Sequence, residues 1–298
     1  MNKKETGEFF FRYYRKRTAS FLANLYKASI TGDIEDIHQT RVDVKKILAL
    51  FRLLEMVSLK FFRSEDHFSQ FSKLFTITGR IREIQVNLAL LEVYKFENKE
   101  INHYIRSLKR GEIRQTRNFM HTVQDFDEKM LEKTEIELKH ITEKEGQKKI
   151  AETAHQLIRK KAKKIEKYFL TKNSQKNLHK IRQNLKIISA IASLSNTIKD
   201  DKKLTQILEQ ISQAENLIGE WHDRQVLIES LDYFSNHRGR SGKKDIINSF
   251  KKEKDLVLSD CKELEKQIIP KTFGLTDLIL RRGIPQPKLN RRLSISDR

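Results

Sequence analysis

The chain has 298 residues, with 60 Lys and Arg against 40 Asp and Glu, a formal charge of +20 and a sequence pI near 9.8. That excess persists after every acid is given a base, so it bears on solubility, steering and polyanion attraction and carries no information on fold. At 38% hydrophobic residues the chain can still bury a core, or two of about 150 residues each, which disfavours a disordered polyelectrolyte.

Punctuation is scarce. No proline precedes Pro270 and only 10 glycines occur, whereas a strand-rich protein of this length needs many more turns. The prediction is therefore all α, with helices over 5–29, 34–58, 65–96, 98–145 (broken near Gly111), 147–170, 173–197, 201–237 and 242–267. The breaks fall at Thr31-Gly32-Asp33, at Phe62-Arg63-Ser64-Glu65, at Gly146, at Lys172-Asn173-Ser174 and at Gly239-Arg240-Ser241-Gly242. In the first helix, Phe9-Phe10-Phe11 beside Arg12, Arg15, Lys16 and Arg17 allows an interfacial reading; packing of these aromatics into the helix's own bundle is preferred. Residues 270–298 hold all three prolines and read as a tail that packs in part through Leu275, Leu278 and Leu280 and then frays.

Two short sentences of sequence occur twice. Ile37-His38-Gln39-Thr40-Arg41-Val42-Asp43-Val44-Lys45 returns as Leu178-His179-Lys180-Ile181-Arg182-Gln183-Asn184-Leu185-Lys186, displaced by 141 residues. Gly79-Arg80-Ile81-Arg82-Glu83-Ile84-Gln85-Val86 returns as Gly219-Glu220-Trp221-His222-Asp223-Arg224-Gln225-Val226, displaced by 140. Two motifs in the same order at nearly the same offset indicate an internal duplication. The expected architecture is therefore an antiparallel four-helix bundle in each half. The halves span 1–146 and 147–269 and form one domain, followed by the tail 270–298.

On a helix, positions i, i+3 and i+7 share a narrow sector, so His38, Arg41 and Lys45 align, and Arg52 continues the row. The row is about 21 Å long at roughly 1.5 Å per residue. Ile37, Val44, Leu48 and Phe51 lie immediately beside it, placing the cations at the rim of a core where leaving them unpaired is costly. An anionic ligand is expected there.

These paired His-x-x-Arg-x-x-x-Lys helices, each followed by a Gly-x-x-[Arg/His]-[Glu/Asp]-x-x-Val segment, resemble the CHAD family, the conserved histidine α-helical domain. The resemblance covers most of residues 5–267. It implies two four-helix bundles in pseudo-twofold relation that bind inorganic polyphosphate in a basic groove or pore. It assigns the family's histidines to His38 and His179, its arginines to Arg41 and Arg182, and its next-turn bases to Lys45 and Lys186. Where family members often carry further arginines, this chain has Ile47-Leu48 and Ile187-Ile188-Ser189, which thins the second row.

The residues themselves suit such a ligand. A phosphate chain offers charge and no apolar surface; arginine supplies a planar fork and lysine a point charge tolerant of sliding. The expected ligand set is His38, Arg41, Lys45, Arg52, Arg82, His179, Arg182, Lys186 and His222. Glu83 and Asp223 are expected to anchor Arg or His side chains by ion pairing. Gly79 and Gly219 should mark close helix approach and Trp221 should be core, while Lys160, Lys161, Lys163 and Lys164 form a charge run that either is solvated or fringes the groove. With histidines in the set, binding is expected to strengthen as pH falls from about 8 to 6.

Glu135-Ile136-Glu137-Leu138-Lys139 matches the Glu-x-Glu-x-Lys signature of triphosphate tunnel enzymes, but that chemistry needs both carboxylates on one face of a strand. On the helix expected here they diverge by about 200°. No other catalytic set is apparent, so a non-enzymatic protein with no cofactor and no metal is expected. Cys261, the only cysteine, excludes an intrachain disulfide. No apolar run nears the roughly 18 residues of a membrane span, and Met1 to Arg17 lacks a signal-peptide core. A cytoplasmic location follows, with association to polyphosphate granules implied by the ligand. The alternative partner is RNA or DNA, disfavoured because both rows lack the aromatics that stack on bases. A helical adaptor for an acidic protein is the third reading.

Overall fold

The computed structural model describes residues 3–58, 62–171, 177–198, 202–237 and 250–282. Every element among them is a helix: α1 (Lys3–Thr31), α2 (Ile34–Val57), α3 (Ser64–Tyr94), α4 (Lys99–Gln124), α5 (Lys129–Phe169), α6 (Leu178–Ile198), α7 (Lys202–His237) and α8 (Lys251–Arg282).

Local chemistry sets the first boundaries. Gly32 takes the left-handed conformation at φ 66°, where a side chain is strained. Asp33 then caps α2, its Oδ1 accepting from the Glu35 and Asp36 amides at 2.9 and 3.0 Å. Asn98 caps α4 by accepting from the Glu100 amide at 2.8 Å.

Three expected boundaries are corrected. The helix predicted over 98–145 breaks at 125–128, not at Gly111, which lies inside α4. Buried Phe119 and Val123 on one side and Leu131 on the other place the corner there, and the Asp127 carboxylate accepts from the Lys129 amide at 3.0 Å. Gly146 likewise ends nothing: α5 runs through it for 41 residues. A helical glycine costs about 1 kcal/mol, and buried Leu138, Ile141, Ile150 and Ala154 hold the helix on both sides of it. The expected halves therefore share one continuous helix. Finally, α8 runs past residue 267 and through Pro270 to Arg282. Pro270 is exposed, while Ile268, Thr272, Leu275, Thr276 and Ile279 are buried, so packing outweighs the lost amide donor. The break at 239–242 and the fraying end at 283–298 lie outside the described residues, as do Lys172 to Ser174.

The helices pack in sequence, α1 on α2, α2 on α3, α3 on α4, then α5 on α6, α6 on α7 and α7 on α8, with α5 also against α1, α2 and α8. Each motif-bearing helix meets the helix that carries the other copy: α2 packs on α6 and α3 on α7. The main core is centred on Phe51, whose ring lies 6.0 Å from Tyr14, 5.6 Å from Phe62 and 6.5 Å from Phe71. Phe10 and Tyr14 of α1 are buried in this core, in line with the packed reading of the first helix. A smaller core, Leu91, Ile101, Tyr104, Leu227, Leu231, Phe250 and Val257, joins the ends of α3 and α4 to α7 and the start of α8. Among the described residues no helix is long and apolar enough to cross a membrane.

Candidate functional site

The α2–α6 and α3–α7 contacts bring the two copies of the motif face to face. Arg41 feels the charge of Arg182, and Lys45 that of Lys186, Arg41, Arg182 and Arg82. From the other side Lys186 feels Arg182 and Arg41. Four cations from two helices thus crowd one another where the halves of the chain meet. Burial, and then the neighbouring cations, lower both Lys45 and Lys186 to about 8. Lys45 stays accessible to solvent although protein surrounds it on most sides, so a ligand can reach it without unfolding.

The two arginines are held differently. The Arg41 Nη1 donates to the Phe75 carbonyl at 2.6 Å, and its guanidinium lies 3.9 Å from the centre of the Phe75 ring. A Cβ on Gly79, one turn after Phe75, would sit 3.1 Å from Arg41 Nη1, so this glycine makes room for the guanidinium. Close approach is therefore real at Gly79, to an arginine side chain. It fails at Gly219, where a Cβ meets nothing within 4 Å. Arg182 instead lies beside the carboxylates of Asp223 and Glu215, and its buried Nε has no hydrogen-bond partner.

The histidines flank this cluster. His38 is half-buried with Nδ1 unpartnered, and burial followed by the Arg82 charge lowers its pKa. The His179 and His222 rings are 5.3 Å apart, and the His179 Nε2 lies 2.9 Å from Gln183 Nε2. Burial, then Arg182, His179 and Lys186, push His222 down to about 4. Both depressions arise from burial and neighbouring cations, the charges that a bound anion would offset. The groups poised near pH 8 are the two lysines.

Of the remaining expected residues, Arg82 is exposed on α3 with its charge acting on His38, Lys45 and Asp223. Arg52 is exposed further along α2, where its charge acts on Lys161 of α5, beside Lys160 and Lys164. Asp223 lies within reach of Arg182, Arg82 and Lys186, and burial raises its pKa against their pull. Glu83 is exposed and its charge bears on the Tyr104 hydroxyl. Trp221 is only partly buried, its Nε1 donating to Glu265 at 3.0 Å.

Glu215 was not anticipated. Burial raises its pKa, against the Ser189 hydroxyl, Lys186, Arg182 and Lys45. Its signal is positional: it stands one turn before Gly219 as Phe75 stands one turn before Gly79. The Glu135–Glu137 segment is helical, and the carboxylates diverge to separate partners, Arg15 at 3.4 Å and His67 at 3.1 Å.

The arrangement is a cluster of cations only partly matched by acid, with arginine forks, lysine point charges and two neighbouring histidines. The family model of the CHAD domain matches residues 12–232. The crystal structure of the CHAD domain from the plant Ricinus communis is similar at a TM-score of 0.73, with 13% sequence identity over 90% of this chain and 91% of that one. No curated protein matches the chain.

Proposed function

The chain belongs to the CHAD family, and on that premise we propose that it captures inorganic polyphosphate between the α2–α3 and α6–α7 pairs without acting on it chemically. The observation that carries the reading is the mutual crowding of Arg41, Lys45, Arg182 and Lys186, whose charges depress one another and would be relieved by an anion. A linear phosphate chain supplies charge along both rows and asks for no apolar pocket. Arg41, braced on Phe75, and Arg182 provide the forks; Lys45 and Lys186 provide charges along which the chain slides. His38, His179, His222 and Arg82 extend the contact, Arg52 and Lys161 continue it toward α5, and Asp223 with Glu215 keeps the C-terminal row ordered. Such capture would direct the protein to polyphosphate granules in the cytoplasm.

Titration with polyphosphates of defined length, at fixed ionic strength because phosphate contacts are strongly salt-dependent, tests the proposal. The double variant Arg41→Glu, Arg182→Glu should lose at least about a hundredfold in affinity, given 1.5–3 kcal/mol for each charged hydrogen bond. Single-stranded RNA at equal phosphate concentration should fail to displace the polymer. Displacement by RNA would transfer the site to nucleic acid, and unchanged binding by the double variant would remove it from the motif helices.

A further inference from the structure

Helix α4 presents a second basic surface on the face turned away from the core. Arg106, Lys109, Arg110, Arg114 and Arg117 are all exposed and fall within a sector of about 140° at about 100° per residue. Buried Ile101, Tyr104, Phe119 and Val123 occupy the opposite side and fix the orientation. Between Ile101 and Gln124 the only acid is Glu112, which lies outside the sector. Three exposed arginines elsewhere are paired, Arg15 with Glu135, Arg63 with Asp66 and Arg281 with Asp277. Among the described residues Lys109, Arg110, Arg114 and Arg117 form no ion pair.

In the middle of these cations stands Ile113, 55% exposed. Gly32, in the turn between α1 and α2, packs on this helix one to two turns further on, where its Cβ would lie 3.3 Å from Thr116 and 3.1 Å from Met120. The turn carries Ile30 at 82% and Ile34 at 49% exposure. Three accessible isoleucines at one corner have no use for a free phosphate polymer, and the absence of aromatics on the face disfavours nucleobase stacking. Apolar side chains ringed by arginines do fit an anionic lipid surface, where cations meet headgroup phosphates and an isoleucine enters between the headgroups.

We propose that the outer face of α4, with the α1–α2 turn beside it, docks the protein peripherally on anionic membrane. No cation of α4 is among the charges that act on Arg41, Lys45, Arg182 or Lys186, so the two activities should be independently removable. The test is co-sedimentation of the full chain with phosphatidylcholine vesicles, with and without phosphatidylserine, for three proteins: the wild type, the variant Arg110→Glu, Arg114→Glu, Arg117→Glu, and the charge-matched control Lys251→Glu, Lys252→Glu, Lys262→Glu on α8. Binding should require phosphatidylserine, fall with salt, drop at least about tenfold in the α4 variant and persist in the control. Ile113→Ser alone should weaken it a few-fold, and polyphosphate affinity should be kept by the α4 variant. Equal losses in the variant and the control would reduce the effect to net charge and overturn the proposal. So would no phosphatidylserine-dependent binding, or a loss of RNA or polyphosphate binding in the α4 variant with vesicle binding intact. All seven substituted residues are exposed, and matching melting curves establish that the variants are folded.

Discussion

Gly79 and Gly219 occupy corresponding positions in the two motif copies yet meet different surroundings, and the difference is measurable. Gly79→Ala places a Cβ 3.1 Å from the Arg41 Nη1, so the guanidinium must shift by a few tenths of an ångström from its seat on the Phe75 carbonyl. Polyphosphate affinity should fall several-fold in a direct titration. Gly219→Ala has open space within 4 Å and should raise stability by roughly 0.5–1 kcal/mol in urea denaturation, through helix propensity alone, with affinity unchanged. Residue chemistry also sets the pH response. Lys45 and Lys186 sit at about 8 without ligand, and a bound polyanion raises both by favouring the charged form. Protons are then taken up on binding when the free lysines are neutral. Affinity should fall as pH rises from about 7.5 to 9.5, by up to about tenfold per pH unit for each lysine. The double variant Lys45→Met, Lys186→Met should flatten that limb at fixed ionic strength. A separate limb centred below pH 7 that survives this variant would report proton uptake by the histidines.

Helix boundaries divide into those settled by neighbours in sequence and those settled by packing. Asp33 and Asn98 cap their helices with their own side chains, and both starts were predicted to within a residue. Gly111, Gly146 and Pro270 interrupt nothing, because each has a local cost of about 1–3 kcal/mol that buried flanking residues outweigh. Pro270 makes the point testable. It is exposed and leaves one helical carbonyl without its donor, so Pro270→Ala should stabilise the protein by on the order of 1–3 kcal/mol, read as a shift in the urea midpoint. No gain would mean that α8 is shaped around the proline. Helix α5 matters differently: its 41 residues pass from the α1–α2 pair to α6, which ties the two expected halves together covalently and leaves no linker between them.

At the scale of the molecule, two cores hold the facing rows in register. The larger runs through both halves, and the smaller clamps the ends of α3 and α4 to α7 and α8. Polar pairs reinforce that clamp: the Tyr104 hydroxyl donates to Ser230 at 2.6 Å, and the Tyr94 hydroxyl donates to Asp260 at 2.6 Å while accepting from Arg224 at 3.1 Å. Leu231 is fully buried in this second core. Leu231→Ala should cost about 2–5 kcal/mol of stability. It should also weaken polyphosphate binding when measured well below the melting temperature, because the clamp fixes how α3 lies on α7. Loss of stability with full affinity would show that α2 on α6 suffices to align the rows.

The helical class, the doubled motif and the identity of the facing cations were legible in the chain, since helical periodicity and residue spacing are local properties. His38, Arg41 and Lys45 share a face because of the geometry of one helix, whatever surrounds it. Which of them are charged was not legible: the depressed Lys45, Lys186 and His222 follow from burial and from cations on other helices. Nor was the unequal treatment of Arg41 and Arg182, one braced on Phe75 and the other set against Asp223 and Glu215. Those properties depend on distances between segments about 30 to 140 residues apart in the chain, and desolvation and Coulomb energy act through space, so only the packed helices decide them.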